Sequence, residues 1–132
     1  MIQTTGVYHL GIPVDDLERA ERFYTNVLGM KLEGRSPNRQ CRLKCGNAGV
    51  VLFLRPRALN RNSLEDNGQT HQAFEVAPEN FDQAVALLKS EGYLHEGPTG
   101  PESGRATGQA TGRAVYFTDS EGNFQQLHTS DK

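Results

Sequence analysis

No stretch of this chain approaches the ~20 consecutive apolar residues of a membrane-spanning helix, and no acidic residue occurs between positions 34 and 64. The first absence argues against a helical membrane protein. The opening Met-Ile-Gln-Thr-Thr-Gly also lacks the basic and apolar regions of a secretory leader, so a cytoplasmic protein is expected. Cysteine is scarce, with two in 132 residues. Cys41 and Cys45 stand in a segment that reads as a strand, where the rise per residue would hold their Cα atoms roughly 13 Å apart and prevent a disulfide. Partners for a zinc site are missing nearby, which leaves two small reduced apolar residues.

The gap in acids coincides with seven basic residues: Arg35, Arg39, Arg42, Lys44, Arg55, Arg57 and Arg61. All 16 acids lie elsewhere and the net charge is -2, so the overall field is mixed and nucleic-acid binding is not expected. Two readings of the basic stretch stay open. It is a solvated face paired with acids from other parts of the fold, or a patch that attracts a small anionic substrate.

What the chain does contain is a repeat. His9-Leu-Gly-Ile-Pro-Val14 and His71-Gln-Ala-Phe-Glu-Val76 each place a histidine five residues before valine, and each run leads into an amphipathic helix closed by glycine. In the first copy Asp15-Asp16 supplies the cap, with Glu18 in the capping-box position relative to Asp15. Leu17, Ala20, Phe23, Tyr24, Val27 and Leu28 then predict one continuous helix up to Gly29. Three extended segments follow, near 30–35, 39–45 and 49–55. In the second copy Pro78 opens a helix that turns Phe81, Ala84, Val85 and Leu88 inward and stops at Gly92. Its strands are expected at 93–96, 113–119 and 123–128, the last two joined by the Asp119-Ser-Glu-Gly122 turn. The fold class is therefore α+β. A single domain over 1–132 is expected, with βαβββ units at 7–55 and 70–128, a polar linker at 56–69 and a glycine-rich loop at 97–112.

Strand parity assigns faces. Leu10, Ile12 and Val14 form one apolar row, and Phe74 and Val76 another. His9 and His71 then point away from the helices, with Glu75 farther along the His71 row. In the last strand Gln126 and His128 share a face if Leu127 packs inward. Two imidazoles plus a third oxygen or nitrogen suit a divalent ion such as Mn, Fe, Co, Ni or Zn. Histidines bonded only to backbone are the alternative.

The run from His9 to Met30 resembles the opening motif of the vicinal oxygen chelate superfamily, and Val115-Tyr-Phe-Thr-Asp-Ser-Glu-Gly-Asn-Phe-Gln-Gln-Leu127 resembles its closing hairpin. The superfamily includes glyoxalase I, fosfomycin thiol transferases, extradiol dioxygenases and metal-free bleomycin-resistance proteins. The resemblance implies paired βαβββ units forming a curved mixed sheet around a cleft, with helices on the outer face, commonly in a homodimer. It implies metal ligands on the first and last strand of each unit, which here are His9, Phe53, His71 and Gln126.

Phe53 cannot ligate, which departs from the four-ligand pattern of glyoxalase I. A three-ligand arrangement remains, as in the fosfomycin enzymes and ring-cleaving dioxygenases, where the last ligand is a glutamate. Gln126 in that place removes one negative charge, so the ion would bind less tightly and keep more positive charge. Tyr116 matches a tyrosine that in some members hydrogen-bonds substrate or assists acid chemistry; packing against the sheet is the alternative. Glu75 is a second catalytic candidate, with a salt bridge in the cleft wall as its other reading. Phe53, Arg55 and His128 are candidates for substrate contact.

The resemblance thus implies a divalent-metal-dependent enzyme of lyase, isomerase, transferase or dioxygenase type acting on a small polar or anionic substrate. A metal-free drug- or metabolite-binding resistance protein is one alternative. A fosfomycin-type thiol transferase is another, favoured by Gln126-Leu-His128, which echoes the Glu-Leu-His ending of those enzymes. Gly11 stands against it, occupying a place where they carry a hydroxyl residue.

Overall fold

Alternation of buried and accessible residues shapes the first unit. The computed structural model describes residues 1–36, 40–55, 71–95 and 112–130. The expected linker at 56–69 lies outside these residues, as does the 97–112 loop apart from Gly112. The chain divides into two compact units, Met1–Leu59 and Asn60–Lys132.

In the first unit β1 (His9–Val14) is followed by α1 (Leu17–Arg22), β2 (Lys31–Ser36), β3 (Gln40–Cys45) and β4 (Ala48–Leu54). The sheet order is β1-β4-β3-β2, with β1 parallel to β4 and the other pairs antiparallel. Ile12, Val14, Cys41, Leu43, Val50 and Leu52 form the buried row, and Ala20, Phe23 and Tyr24 complete this core. Removing these side chains from water supplies the main stabilisation of the unit, about 25 cal/mol per Å² of apolar surface. His9, Gly11, Val51 and Phe53 alternate with that row and remain wholly or partly accessible.

Two expectations about the first helix need correction. The cap is Asp16, whose Oδ1 accepts from the Arg19 N–H at 3.0 Å. Arg19 therefore occupies the third helical position, and Glu18 cannot complete a capping box. The helix is also not α-helical throughout. It widens into a π-helical turn over Phe23–Val27, where the Leu28 N–H bonds to the Phe23 carbonyl at 3.2 Å. Gly29, at φ 72°, then reverses the chain, a conformation that costs glycine little.

The second unit contains β5 (Gln72–Glu75), α2 (Pro78–Ser90), β6 (Arg113–Thr118) and β7 (Phe124–Thr129), with sheet order β5-β7-β6. β5 runs parallel to β7 and β6 antiparallel to it. Phe74, Phe81, Leu88, Val115, Phe117 and Leu127 are buried. Ala84 and Val85, expected to point inward, are half-buried.

Among the described residues the strand expected at 93–96 is reduced to one bridge, Leu94 with Phe117. Its start is pre-empted because the Tyr93 N–H closes the helix onto the Leu88 carbonyl at 2.8 Å. The turn between β6 and β7 forms around Asp119, whose Oδ1 accepts from the Glu121 and Asn123 N–H groups at 2.9 and 2.8 Å. The class is α+β with mixed sheets. Among the described residues no helix is long and apolar enough to cross a membrane.

Candidate functional site

The accessible face of the second sheet gathers most of the expected site residues. β7 lies between β5 and β6, so side chains from both neighbours can lean over it. Tyr116 on β6 is directly opposite Gln126 on β7. Just before β5, His71 presents its ring edge to Tyr116, with centroids 5.3 Å apart. Tyr116 in turn stacks on Phe124 at 5.1 Å and 10°. Three expected residues, His71, Tyr116 and Gln126, therefore meet above one strand. The Gln126 carboxamide makes no hydrogen bond within the described residues, which leaves its oxygen available.

Glu75 and His128 form the next pair along the same face, consistent with their registered positions. The ionised carboxylate is an acceptor only, so His128 Nδ1–H donates to Glu75 Oε1, at 2.7 Å. Glu75 Oε2 accepts from the Ser130 N–H at 3.1 Å. Partial burial raises the Glu75 pKa, but these hydrogen bonds outweigh it and the net value lies below the ordinary 4.5. Glu75 is thus held by a hydrogen bond to His128, which becomes an ion pair only when that imidazole is protonated.

His95 belongs to this face and has no motif to reveal it from sequence. Its ring meets the edge of Phe124 at 5.0 Å, and its Nε2 bonds to the Thr118 hydroxyl. Burial lowers its pKa from the usual 6.5, so the neutral imidazole prevails at pH 7. The bridge that replaces the expected strand brings it here, with the His95 N–H on the Tyr116 carbonyl at 3.0 Å.

In the first unit His9 is exposed at the start of β1, its ring centroid 5.4 Å from that of Tyr8. Phe53 is half-buried on the same side of the sheet, and the Arg55 guanidinium lies 5.0 Å from its ring centroid. Gly11 is opposite Val51, and a Cβ there would stand 3.1 Å from Phe53 Cε1.

As donors for a divalent ion, two imidazoles and an amide oxygen are chemically suitable but carry no charge. Among the described residues no group of three His, Cys, Asp or Glu side chains could hold a metal ion.

A sequence model of one family matches residues 6–127, nearly the whole of both units. The chain belongs to the Glyoxalase/Bleomycin resistance protein/Dioxygenase superfamily. Within that superfamily it is 28% identical over 130 residues to the metallothiol transferase FosB of Staphylococcus epidermidis, covering 97% of this chain and 84% of that one. It is also 28% identical to the glutathione transferase FosA of Serratia marcescens, covering 91% of this chain and 77% of the relative. Among solved structures, the fosfomycin resistance protein FosX of Listeria monocytogenes superposes with a TM-score of 0.75 at 19% identity, covering 98% and 94% of the two chains. That likeness concerns the fold.

Proposed function

We propose that this superfamily member is a divalent-metal-dependent enzyme that adds a nucleophile, most simply a thiol, to a small oxygen-bearing electrophile of the fosfomycin kind. His9, His71 and Gln126 are its proposed metal ligands, and one domain formed by both units, working as a homodimer, is its proposed assembly. The observation that carries the reading is the convergence of His71, Tyr116 and Gln126 above β7. The naming of the curated relatives as thiol transferases supports the transfer chemistry.

A divalent ion at these donors would polarise the substrate oxygens as a Lewis acid. The chain's own contribution is orientation and proton management. In this reading the Tyr116 hydroxyl donates a hydrogen bond to an oxygen on which negative charge develops. Phe124 stacks on the Tyr116 ring and His71 meets it edge to face. Phe53, Arg55 and His128 are proposed substrate contacts.

The test combines metal analysis of untagged protein with turnover of fosfomycin in the presence of glutathione, cysteine or another low-molecular-weight thiol. Bound metal near one per chain, lost in His9→Ala and His71→Ala, together with chelator-sensitive adduct formation, is the expected result. Unchanged activity after exhaustive chelation rejects the metal reading.

A second reading, a metal-free protein that sequesters a drug or metabolite, is favoured by the neutral Gln126 and the non-ligating Phe53. It predicts ligand binding without turnover, indifferent to metal.

A further inference from the structure

Four rings form a row on the accessible face of the second sheet. In order they are His71, Tyr116, Phe124 and His95, with successive centroids 5.3, 5.1 and 5.0 Å apart. Tyr116 and Phe124 are diagonal neighbours in the β6–β7 ladder, since Tyr116 is opposite Gln126 and Phe124 opposite Thr118. Contact across such a diagonal requires aromatic or long side chains. Phe124 is buried and Tyr116 half-buried. A rotation of Phe124 would therefore remove the surface on which the phenol ring stacks.

His95 is attached to this sheet at three points. Its N–H donates to the Tyr116 carbonyl at 3.0 Å, its Nε2 bonds to the Thr118 hydroxyl, and its ring meets Phe124. The residues before it are held in the same way. The Thr118 N–H donates to the Tyr93 carbonyl at 2.9 Å, and Leu94 bridges to Phe117. β6 is an end strand of its sheet, so this short segment lies along its outer edge. A neutral imidazole has one donor and one acceptor nitrogen, and a hydroxyl can take either part, so Thr118 holds the ring in either tautomer. Thr118 and Phe124 are directly opposite in register, and the bond to Thr118 therefore sets the His95 ring against Phe124.

We propose that His95 is a positioning residue: anchored by Thr118, it locks the Phe124 ring and through that ring sets the orientation of Tyr116. Its meaning for catalysis rests on the proposed reaction, in which the Tyr116 hydroxyl donates to the oxygen that gains charge. Such a donor stabilises charge best when it is already aimed before the reaction begins. The hydroxyl stands at the far end of the side chain, where a small ring rotation becomes a large displacement, and a misplacement of about 1 Å can cost about 100-fold in rate. The role needs both properties of a histidine. Phenylalanine would supply the ring contact without the anchor, and glutamine the anchor without the ring. No proton moves to or from His95.

The experiment compares the full-length parent protein with His95→Gln, which loses the ring, and Thr118→Val, which loses the anchor; either variant alone carries the test if the other does not fold. Ring-proton NMR spectra of metal-free protein come first. Both variants should shift the ring resonances of Tyr116 and of His71, at the other end of the row, and leave those of Tyr24 in the core of the first unit in place. Unchanged Tyr116 and His71 resonances in a folded variant overturn the proposal. Turnover comes second. In each variant kcat should fall about three- to tenfold, the cost of one aromatic contact, with KM changed by less than about twofold. Neither substitution should lower kcat further when Tyr116→Phe is already present. An equal loss in that background shows His95 acting elsewhere and overturns the proposal. A merely stabilising residue would lower the denaturation midpoint and move neither readout. The spectra need no metal and no substrate, so an absence of turnover rejects the proposed reaction, while the ring shifts alone decide whether His95 orients Tyr116.

Discussion

Glu75 and His128, 53 residues apart in sequence, are joined by a 2.7 Å hydrogen bond between neighbouring parallel strands. The carboxylate fixes the imidazole through Nδ1, and Gly112 lies beside Nε2, at a point where a Cβ would be only 2.6 Å away. The pair therefore sets the conformation of one end of the candidate site, and its chemistry makes it sensitive to pH.

The Glu75 pKa is lower in the folded protein than the ordinary 4.5, so its stabilising effect is fully present above that value. It is lost as pH falls through the lowered folded value. Urea unfolding of the parent and Glu75→Gln between pH 7 and pH 3 should show the difference shrinking in the acid range. The carboxylate is more than half exposed, so the effect at pH 7 should remain below about 1 kcal/mol. A difference that grows on acidification would contradict the assignment.

Gly112→Ala should destabilise the second unit. Its φ of 121° is unfavourable for any L side chain, and the added methyl would meet both His128 Nε2 and the Thr129 carbonyl. A loss of about 2 kcal/mol or more is expected from strain and overpacking, read as a reduced denaturation midpoint with an unchanged slope.

Asp119→Ala should cost more than a surface change. Asp119 is buried and accepts bonds from Glu121 N–H, Asn123 N–H and Asn123 Nδ2–H, all within 3.0 Å. Leaving these donors unsatisfied should cost about 2–4 kcal/mol. A denaturation change below about 0.5 kcal/mol would show that water replaces the carboxylate without loss.

Cys41 should resist thiol reagents in the native protein. Burial, the nearby Glu21 charge and a 3.6 Å hydrogen bond to Glu21 Oε1 push its pKa up to about 11. The reactive thiolate is then about one part in 10⁴ at pH 7. Labelling with a disulfide reagent before and after addition of denaturant measures this, and fast native labelling at Cys41 would refute it.

Gln126→Glu should strengthen metal binding. A carboxylate would add one negative charge to an otherwise neutral set of proposed donors, and affinity for Mn or Zn should rise at least about tenfold. Titration calorimetry on metal-free protein provides the measurement. Equal affinity in both forms would place the third donor elsewhere.

Much of this organisation is legible in the chain itself. Period-two alternation in His9–Val14 and Gln40–Cys45, with helical spacing from Leu17 onward, determines which rows are apolar, because a side chain's face follows from its position alone. Parity alone would keep Arg35 on the face of Lys31 and Lys44, and the bulge between Leu32 and Gly34 turns it to the helix side. Other features depended on hydrogen bonds between distant segments. Tyr93 could not start a strand because the helix end had taken its N–H, and Asp16 caps α1 because its carboxylate accepts from the Arg19 N–H.

The sequence by itself determined the strand and helix faces and the repeated histidines, since these depend on local periodicity. Only the tertiary structure decided that His95 joins the Tyr116 face, that Glu75 takes His128 as its partner, and that Arg35 is neutralised while Arg42 and Lys44 are not. Those outcomes depend on strand register and on which groups reach one another across it, and the spacing of residues along one segment does not encode either.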